Sequence, residues 1–245
     1  MSQELIYGIH AVEMFLQQAP KRSEQLLILQ GRDDKRVNDI VALAKKAGVQ
    51  IQHVTRQELE DKVDANHQGV ILYCRPAQAK DEAFLMSLIE KAETPPLFLV
   101  LDSVTDPHNL GACLRSADAA GVAAVIAPKD KAVGLTPVVR KVACGAAETV
   151  PFVVVTNLAR TLDKMKDAGI WMIGAAGEAE QSIYQSDFNG PMAVVMGAEG
   201  SGMRRLTRER CDFLANIPMA GVVTSLNVSV ATGVFLFEAL RQRSS

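Results

Sequence analysis

Three stretches of this chain carry polar side chains where a core would need only volume. In IPMAGVVTSLNVSVATG (217–233), Thr224, Ser225, Asn227 and Ser229 fall within six positions of an otherwise apolar run. A buried hydroxyl or amide without a partner costs about 1–3 kcal/mol. The cluster therefore predicts a polar ligand at an elbow, with a strand before it and a helix over 225–241 after it. In GAEGSG (197–202), Glu199 lies between glycines that leave its carboxylate uncrowded, to face a ligand or to hold an arginine such as Arg115. In LDSVTDPHNLGACLRSADAAG (101–121), Asp106 and Asn109 suit an Asx turn or helix cap. Arg115, set in an apolar-patterned stretch, needs an anion, and its planar fork of donors fits phosphate or carboxylate.

Several chemistries are excluded. The GxSxG elbow is absent and His108 is the only histidine after residue 67, so Ser225 has no base of the serine-hydrolase kind. Neither the GxGxxG nor the GxxxxGK[ST] phosphate fingerprint is present. Cys74, Cys113, Cys144 and Cys211, with His10, His53, His67 and His108, show no ligand spacing, so no metal is expected. Widely spaced cysteines fit reduced thiols in the cytoplasm. No run of about 18 apolar residues and no signal-peptide pattern occurs, so no membrane association is expected. A net charge of -2 gives no global signature for nucleic acid, so RNA contact must rest on local patches. Two exist: Arg32, Lys35 and Arg36 in GRDDKR, and Arg204, Arg205, Arg208 and Arg210. Each reads equally as a solvated face or a phosphate-contacting edge.

These residues need a scaffold, and 245 residues at 48% hydrophobic content supply one. Residues 1–74 read as a small α/β domain, with strands at 25–29, 49–54 and 69–74 and helices at 9–16, 36–47 and 56–62. Residues 75–96, an Ala/Lys/Glu-rich helical piece with few apolar anchors and Pro95-Pro96 at the end, read as a linker. From 97 to 245 strand and helix alternate, which predicts a parallel α/β domain. Its strands fall at 97–102, 123–128, 150–155, 170–175, 193–197 and 213–217, its helices at 110–120, 137–146, 157–168 and 225–241. Ligands of such sheets bind beyond the carboxyl ends of the strands. That rule selects 102–111, 174–179, 197–202 and 218–227 as the segments lining a site.

Taken together, the three polar stretches resemble the signature motifs of SpoU-type RNA ribose 2′-O-methyltransferases of the SPOUT superfamily. IYGIHAV (6–12) and HQGVI (67–71) resemble the substrate-binding extension of that family, so the likeness covers nearly the whole chain. The pattern of elements alone gives an unknotted doubly wound sheet; the resemblance implies a knotted parallel-sheet catalytic domain with a deep trefoil knot. It also implies a front domain that binds RNA, S-adenosyl-L-methionine as cofactor, and a homodimer with its active site near the subunit interface. By the same resemblance, Gly197, Ile217 and Leu226 match cofactor-contacting positions, and Asn109, Arg115, Glu199, Ser225 and Asn227 match catalytic-site positions. The implied reaction is methylation of a guanosine ribose in the peptidyl-transferase loop of large-subunit (23S) ribosomal RNA. Transfer RNA or another ribosomal nucleotide is the alternative substrate.

Overall fold

A computed structural model describes residues 3–75 and 78–244. In chain order the elements begin β1 (Glu4–Tyr7), α1 (Ile9–Gln18), β2 (Ser23–Leu29), α2 (Lys35–Lys46), β3 (Gln50–Val54), α3 (Arg56–Glu60) and β4 (Val70–Cys74). They continue with α4 (Glu82–Glu90), β5 (Leu97–Asp102), α5 (Pro107–Ala119), β6 (Ala124–Pro128), α6 (Pro137–Ala143), α7 (Ala146–Thr149), β7 (Phe152–Val155) and α8 (Leu158–Asp167). The last are β8 (Trp171–Ala175), β9 (Gln181–Ser182), β10 (Met192–Gly197), α9 (Arg205–Arg208), β11 (Phe213–Asn216) and α10 (Val228–Arg243). The chain forms two compact units. One comprises Met1–Gln78 with Leu135–Thr149, the other Ala79–Gly134 with Val150–Ser245.

The first unit holds a four-stranded sheet in the order β1-β4-β2-β3, with β4 antiparallel to both neighbours and β2 parallel to β3. Val12, Phe15, Leu26, Ile28, Ile40 and Leu72 form its core against α1 and α2. Asp34 caps α2, and Thr55 with Glu58 builds a capping box at α3, each satisfying helix N–H groups that would otherwise lack acceptors. β1 has no counterpart in the sequence reading, because four residues are too few to show alternation.

Two expectations are corrected here. The single helix at 137–146 is two, broken where Cys144 (φ 51°) and Gly145 (φ 96°) enter the left-handed region. A Cβ on Gly145 would lie 3.0 Å from Met14 Cβ, so glycine is required for the close approach. These helices, expected with the C-terminal domain, belong to the first unit. The cause is charge: Arg140, almost inaccessible, meets Glu4 at 2.7 Å and Glu148 at 2.5 Å, and Glu148 also pairs with Arg22. Burial lowers the proton affinity of both arginines, with Glu4 opposing the shift.

The second unit carries a seven-stranded sheet, all parallel, in the order β7-β6-β5-β10-β8-β11-β9. Every residue of β5 and β6 is buried, as expected for strands covered on both faces. The chain runs outward from β5 through β6 to β7, then returns to build β8, and β10 inserts between β5 and β8. That reversal makes a switch point at the carboxyl ends of β5 and β10. The helical piece expected in the linker is α4, capped by Asp81; it buries Leu85 completely among Phe98, Val100 and Leu162, and Lys80 pairs with Val153, so the segment from Ala79 onward belongs to the second unit. Phe84, Leu85, Leu88 and Ile89 give α4 its apolar face. At the far end, Arg243 donates to the carbonyls of Pro95, Phe188 and Gly190 and so ties the end of α10 to the sheet.

Candidate active site

The elbow after β11 differs from its expected form. The helix α10 starts at Val228, and its cap is Asn227, whose Oδ1 accepts the N–H of Ser229 at 2.9 Å and of Val230 at 3.4 Å. Ser225, expected to begin the helix, lies with Gly221–Thr224 in an exposed loop. Thr232 is buried in α10; it donates to the Val228 carbonyl at 2.7 Å and accepts from Cys113 Sγ.

With Oδ1 occupied by the helix, Asn227 turns its Nδ2 inward, donating to Glu199 Oε1 at 2.6 Å and to Asn109 Oδ1 at 2.9 Å. Asn109 Nδ2 closes the ring on Glu199 Oε2 at 3.4 Å. The three polar stretches of the sequence thus meet through one residue each. Asn109 is placed by the first turn of α5, which Asp106 caps by accepting from the His108 N–H at 2.8 Å with Pro107 at the first helical position. What holds Glu199 is a pair of carboxamides.

Glu199 is presented by a tight loop after β10, in which Ala198 and Gly202 exchange both backbone hydrogen bonds, at 3.0 and 2.9 Å. The backbone of Gly202 and Met203 passes so close to Gly197 that a Cβ there would lie 2.1 Å from the Gly202 carbonyl carbon. Gly200 (φ 77°) and Gly202 (φ 67°) supply the left-handed residues of this turn.

A cleft of about 450 Å³ opens beside this ring at the carboxyl ends of β8, β10 and β11. Gly197, Ile217 and Leu226 line it, with Glu199, Ser225 and Asn227 on the same wall and Met196 and Phe235 adding apolar surface. Asn109 joins only through its hydrogen bonds, and Arg115 lies on the exposed side of α5, outside the cleft lining. Asn216, absent from the sequence reading, fixes the opposite rim by donating to the Ala179 carbonyl. Nothing in the sequence points to Asp102 beyond the single acid that ends the apolar strand LFLVLD.

The basic run after the loop is paired within the protein. Arg204 meets Asp102 at 2.6 Å, Arg205 meets Glu209 at 2.6 Å, Arg210 meets Asp163 at 2.9 Å, and Arg208 in the cleft wall meets Glu178. Thiol chemistry has no place here: burial pushes Cys113 to about 11 and Cys211 to about 12, so both are protonated at neutral pH. Among the described residues no group of His, Cys, Asp and Glu could hold a metal ion, and no helix is long and apolar enough to cross a membrane.

Comparison with known proteins adds two family matches. Residues 96–237 match the SpoU rRNA Methylase family, and residues 5–80 match the RNA 2′-O ribose methyltransferase substrate-binding family. The 23S rRNA (guanosine-2′-O-)-methyltransferase RlmB of Pseudomonas putida is 61% identical over 99% of this chain and 98% of its own. The Escherichia coli enzyme of the same name is 57% identical over 98% and 99%. Among solved structures, the crystal structure of an RNA 2′-O ribose methyltransferase superposes with a TM-score of 0.80 at 28% identity, over 99% of this chain and 90% of that one. The SpoU methyltransferase AviRb from Streptomyces viridochromogenes, in complex with AdoMet, shares the fold with a TM-score of 0.81 at 22% identity, over 99% and 91%. With its three polar stretches joined at one cleft and most of its length matched, the chain belongs to the SpoU rRNA Methylase family.

Proposed function

We propose that the protein transfers a methyl group from S-adenosylmethionine to the ribose 2′-hydroxyl of a guanosine in 23S ribosomal RNA. The observation that carries this reading is the ring of Asn109, Glu199 and Asn227 at the mouth of the cleft. Relatives named for this reaction, at 57–61% identity over essentially the full chain, support the substrate.

The cleft suits the cofactor. Ile217, Leu226, Met196 and Phe235 give apolar walls, and Gly197 permits backbone approach that no side chain would allow. Bound there, S-adenosylmethionine supplies an electrophilic methyl group. The chain's own residues must align the hydroxyl and let its proton leave, and positioning of reacting atoms within about 3–3.5 Å supplies much of the rate. Asn109, Glu199 and Asn227 hold one another rigid, and Ser225 offers a hydroxyl from the exposed loop toward the ribose. The Arg115 guanidinium stabilises the developing 2′-alkoxide and holds the neighbouring phosphate. The phosphate or a water takes the proton.

Arg115 stands outside the cleft of its own protomer, which supports a homodimer that brings it to a site near the interface. The surface of α10 agrees: Phe235, Leu236 and Ala239 are buried on one side, while Val230 and Phe237 remain about half exposed on the other. A second copy is the partner that would cover them. The strand order, with β10 between β5 and β8, supports a trefoil knot threaded by the C-terminal chain. The front unit, matched to a substrate-binding family, is assigned to RNA, and the reaction to the cytoplasm where ribosomes assemble.

The test is methyl transfer from labelled cofactor to 23S ribosomal RNA isolated from a strain lacking the modification, followed by mapping of the product. A single 2′-O-methylguanosine in the peptidyl-transferase loop is expected. Label on transfer RNA alone, or none despite calorimetric binding of S-adenosylmethionine, would overturn the assignment. Sedimentation at working concentration should give a dimer.

A further inference from the structure

β5 is apolar at every position but its last, and Asp102 there is wholly inaccessible to solvent. Its Oδ1 accepts Arg204 Nε at 2.6 Å, and its Oδ2 accepts the Arg204 backbone N–H at 2.8 Å. Ser103 follows with φ 69°, a left-handed conformation uncommon for a residue with a side chain, and its Oγ donates to Asp102 Oδ1 at 3.1 Å. A buried ion pair adds little net stability over a well-packed apolar pair. The arrangement is better explained by what it does to the arginine.

Fixing Nε and the main chain sets the guanidinium plane and leaves Nη1 and Nη2 as an outward fork. Among the described residues no protein acceptor meets that fork. The neighbouring arginines differ, since each spends an Nη on the protein: Arg205 on Glu209, Arg208 on Glu178, Arg210 on the Leu206 carbonyl. The Arg204 side chain is 43% exposed and borders a cavity of about 280 Å³ at the carboxyl ends of β6 and β7, with Pro128, Asp130, Thr156 and Asn157. Met203, one residue earlier, lines the cofactor cleft.

We propose that Arg204, oriented by Asp102, binds a phosphodiester of the RNA substrate in this cavity, beside the reacting nucleotide; this rests on the function proposed above. Two coplanar N–H donors match two phosphate oxygens, a geometry that a lysine cannot copy. Because Asp102 offsets the charge of Arg204 and Asp130 borders the same cavity, recognition depends on directed hydrogen bonds more than on a basic field. Asp102 is a positioning residue that acts through Arg204.

The experiment measures affinity of the full-length protein for a 23S ribosomal RNA fragment across a salt series, with cofactor affinity measured alongside by calorimetry. Arg204→Met should weaken RNA binding roughly 10-fold and make the salt dependence shallower by about 0.7–1 in log–log slope, with cofactor affinity unchanged. Arg204→Lys, which keeps a charge for Asp102 and guards against failure to fold, should keep the slope yet lose part of the affinity. Asp102→Asn should weaken RNA binding while keeping the slope. Unchanged RNA affinity and slope in Arg204→Met, beside a wild type that binds and methylates RNA, would overturn the proposal. So would weakened cofactor affinity with RNA binding intact, which would make the pair only a brace for the loop. A wild type that neither binds nor methylates the RNA would instead sink the functional reading.

Discussion

Two polar clusters, one in each unit, show how differently the same side-chain types can be used. In the first unit Arg22 and Arg140 face Glu4 and Glu148, two charges against two, with Arg140 and Glu148 sealed from solvent. In the second, one carboxylate, Glu199, is held by two neutral amides at the edge of an open cleft. The first cluster closes upon itself and leaves nothing for a ligand. The second fixes its geometry and keeps a negative charge facing the space where a cationic methyl donor would lie. Buried ions matched in number describe scaffolding; an ion positioned by neutral groups at an opening describes chemistry.

The sharpest way to break this contrast is to remove one charge from the closed cluster. Arg140→Met leaves Glu4 and Glu148 without their shared cation and should cost about 3–5 kcal/mol in urea unfolding, while methyl transfer per folded molecule holds. Loss of activity without loss of stability would make that cluster functional after all. The reciprocal change is Glu199→Gln, which sets an amide N–H2 against the donors of Asn109 and Asn227. Methyl transfer should fall roughly 100-fold by misplacement of the ring, with the thermal midpoint little changed. A large drop in midpoint would instead class the ring as scaffolding.

The smallest expected effect lies on α10, where Arg241 and then Gln242 hold the Glu238 carboxyl down to about 2. The folded protein there binds a proton more weakly than the unfolded chain. Its contribution is full above the ordinary value of 4.5 and is lost as pH falls toward 2. Thermal melts of Glu238→Gln across that window should show a shallower acid decline than wild type. Equal slopes would mean that the exposed Arg241 contributes nothing there.

Much of the site was legible because it breaks local rules. Asn109, Glu199, Ser225 and Asn227 are polar residues placed amid apolar or glycine-rich sequence, and the parallel sheet announced itself in runs such as LFLVLD. Which of them caps the helix was not legible, because Ser225 and Asn227 have similar cap preference and only the chain's path selects Asn227. Arg140 reads as an ordinary solvated helix residue until Glu4, at the other end of the unit's sequence, is found beside it. The packing of α4 was hidden for a related reason: a helix is legible in this stretch, but the distant strands that bury Leu85 are not. Local sequence records periodicity and violations of it; it does not record which distant charge completes a pair.

The excursion of residues 135–149 has a bearing on how this protein can be cut and inherited. The chain passes between its two units three times, after residues 78, 134 and 149. No single cleavage separates them, and a version lacking the first 75 residues would leave Arg140 without Glu4 and Glu148 without Arg22. The front unit is therefore not a detachable cassette. Exchanging it between relatives to change the RNA target would have to carry α6 and α7 along, as a discontinuous graft.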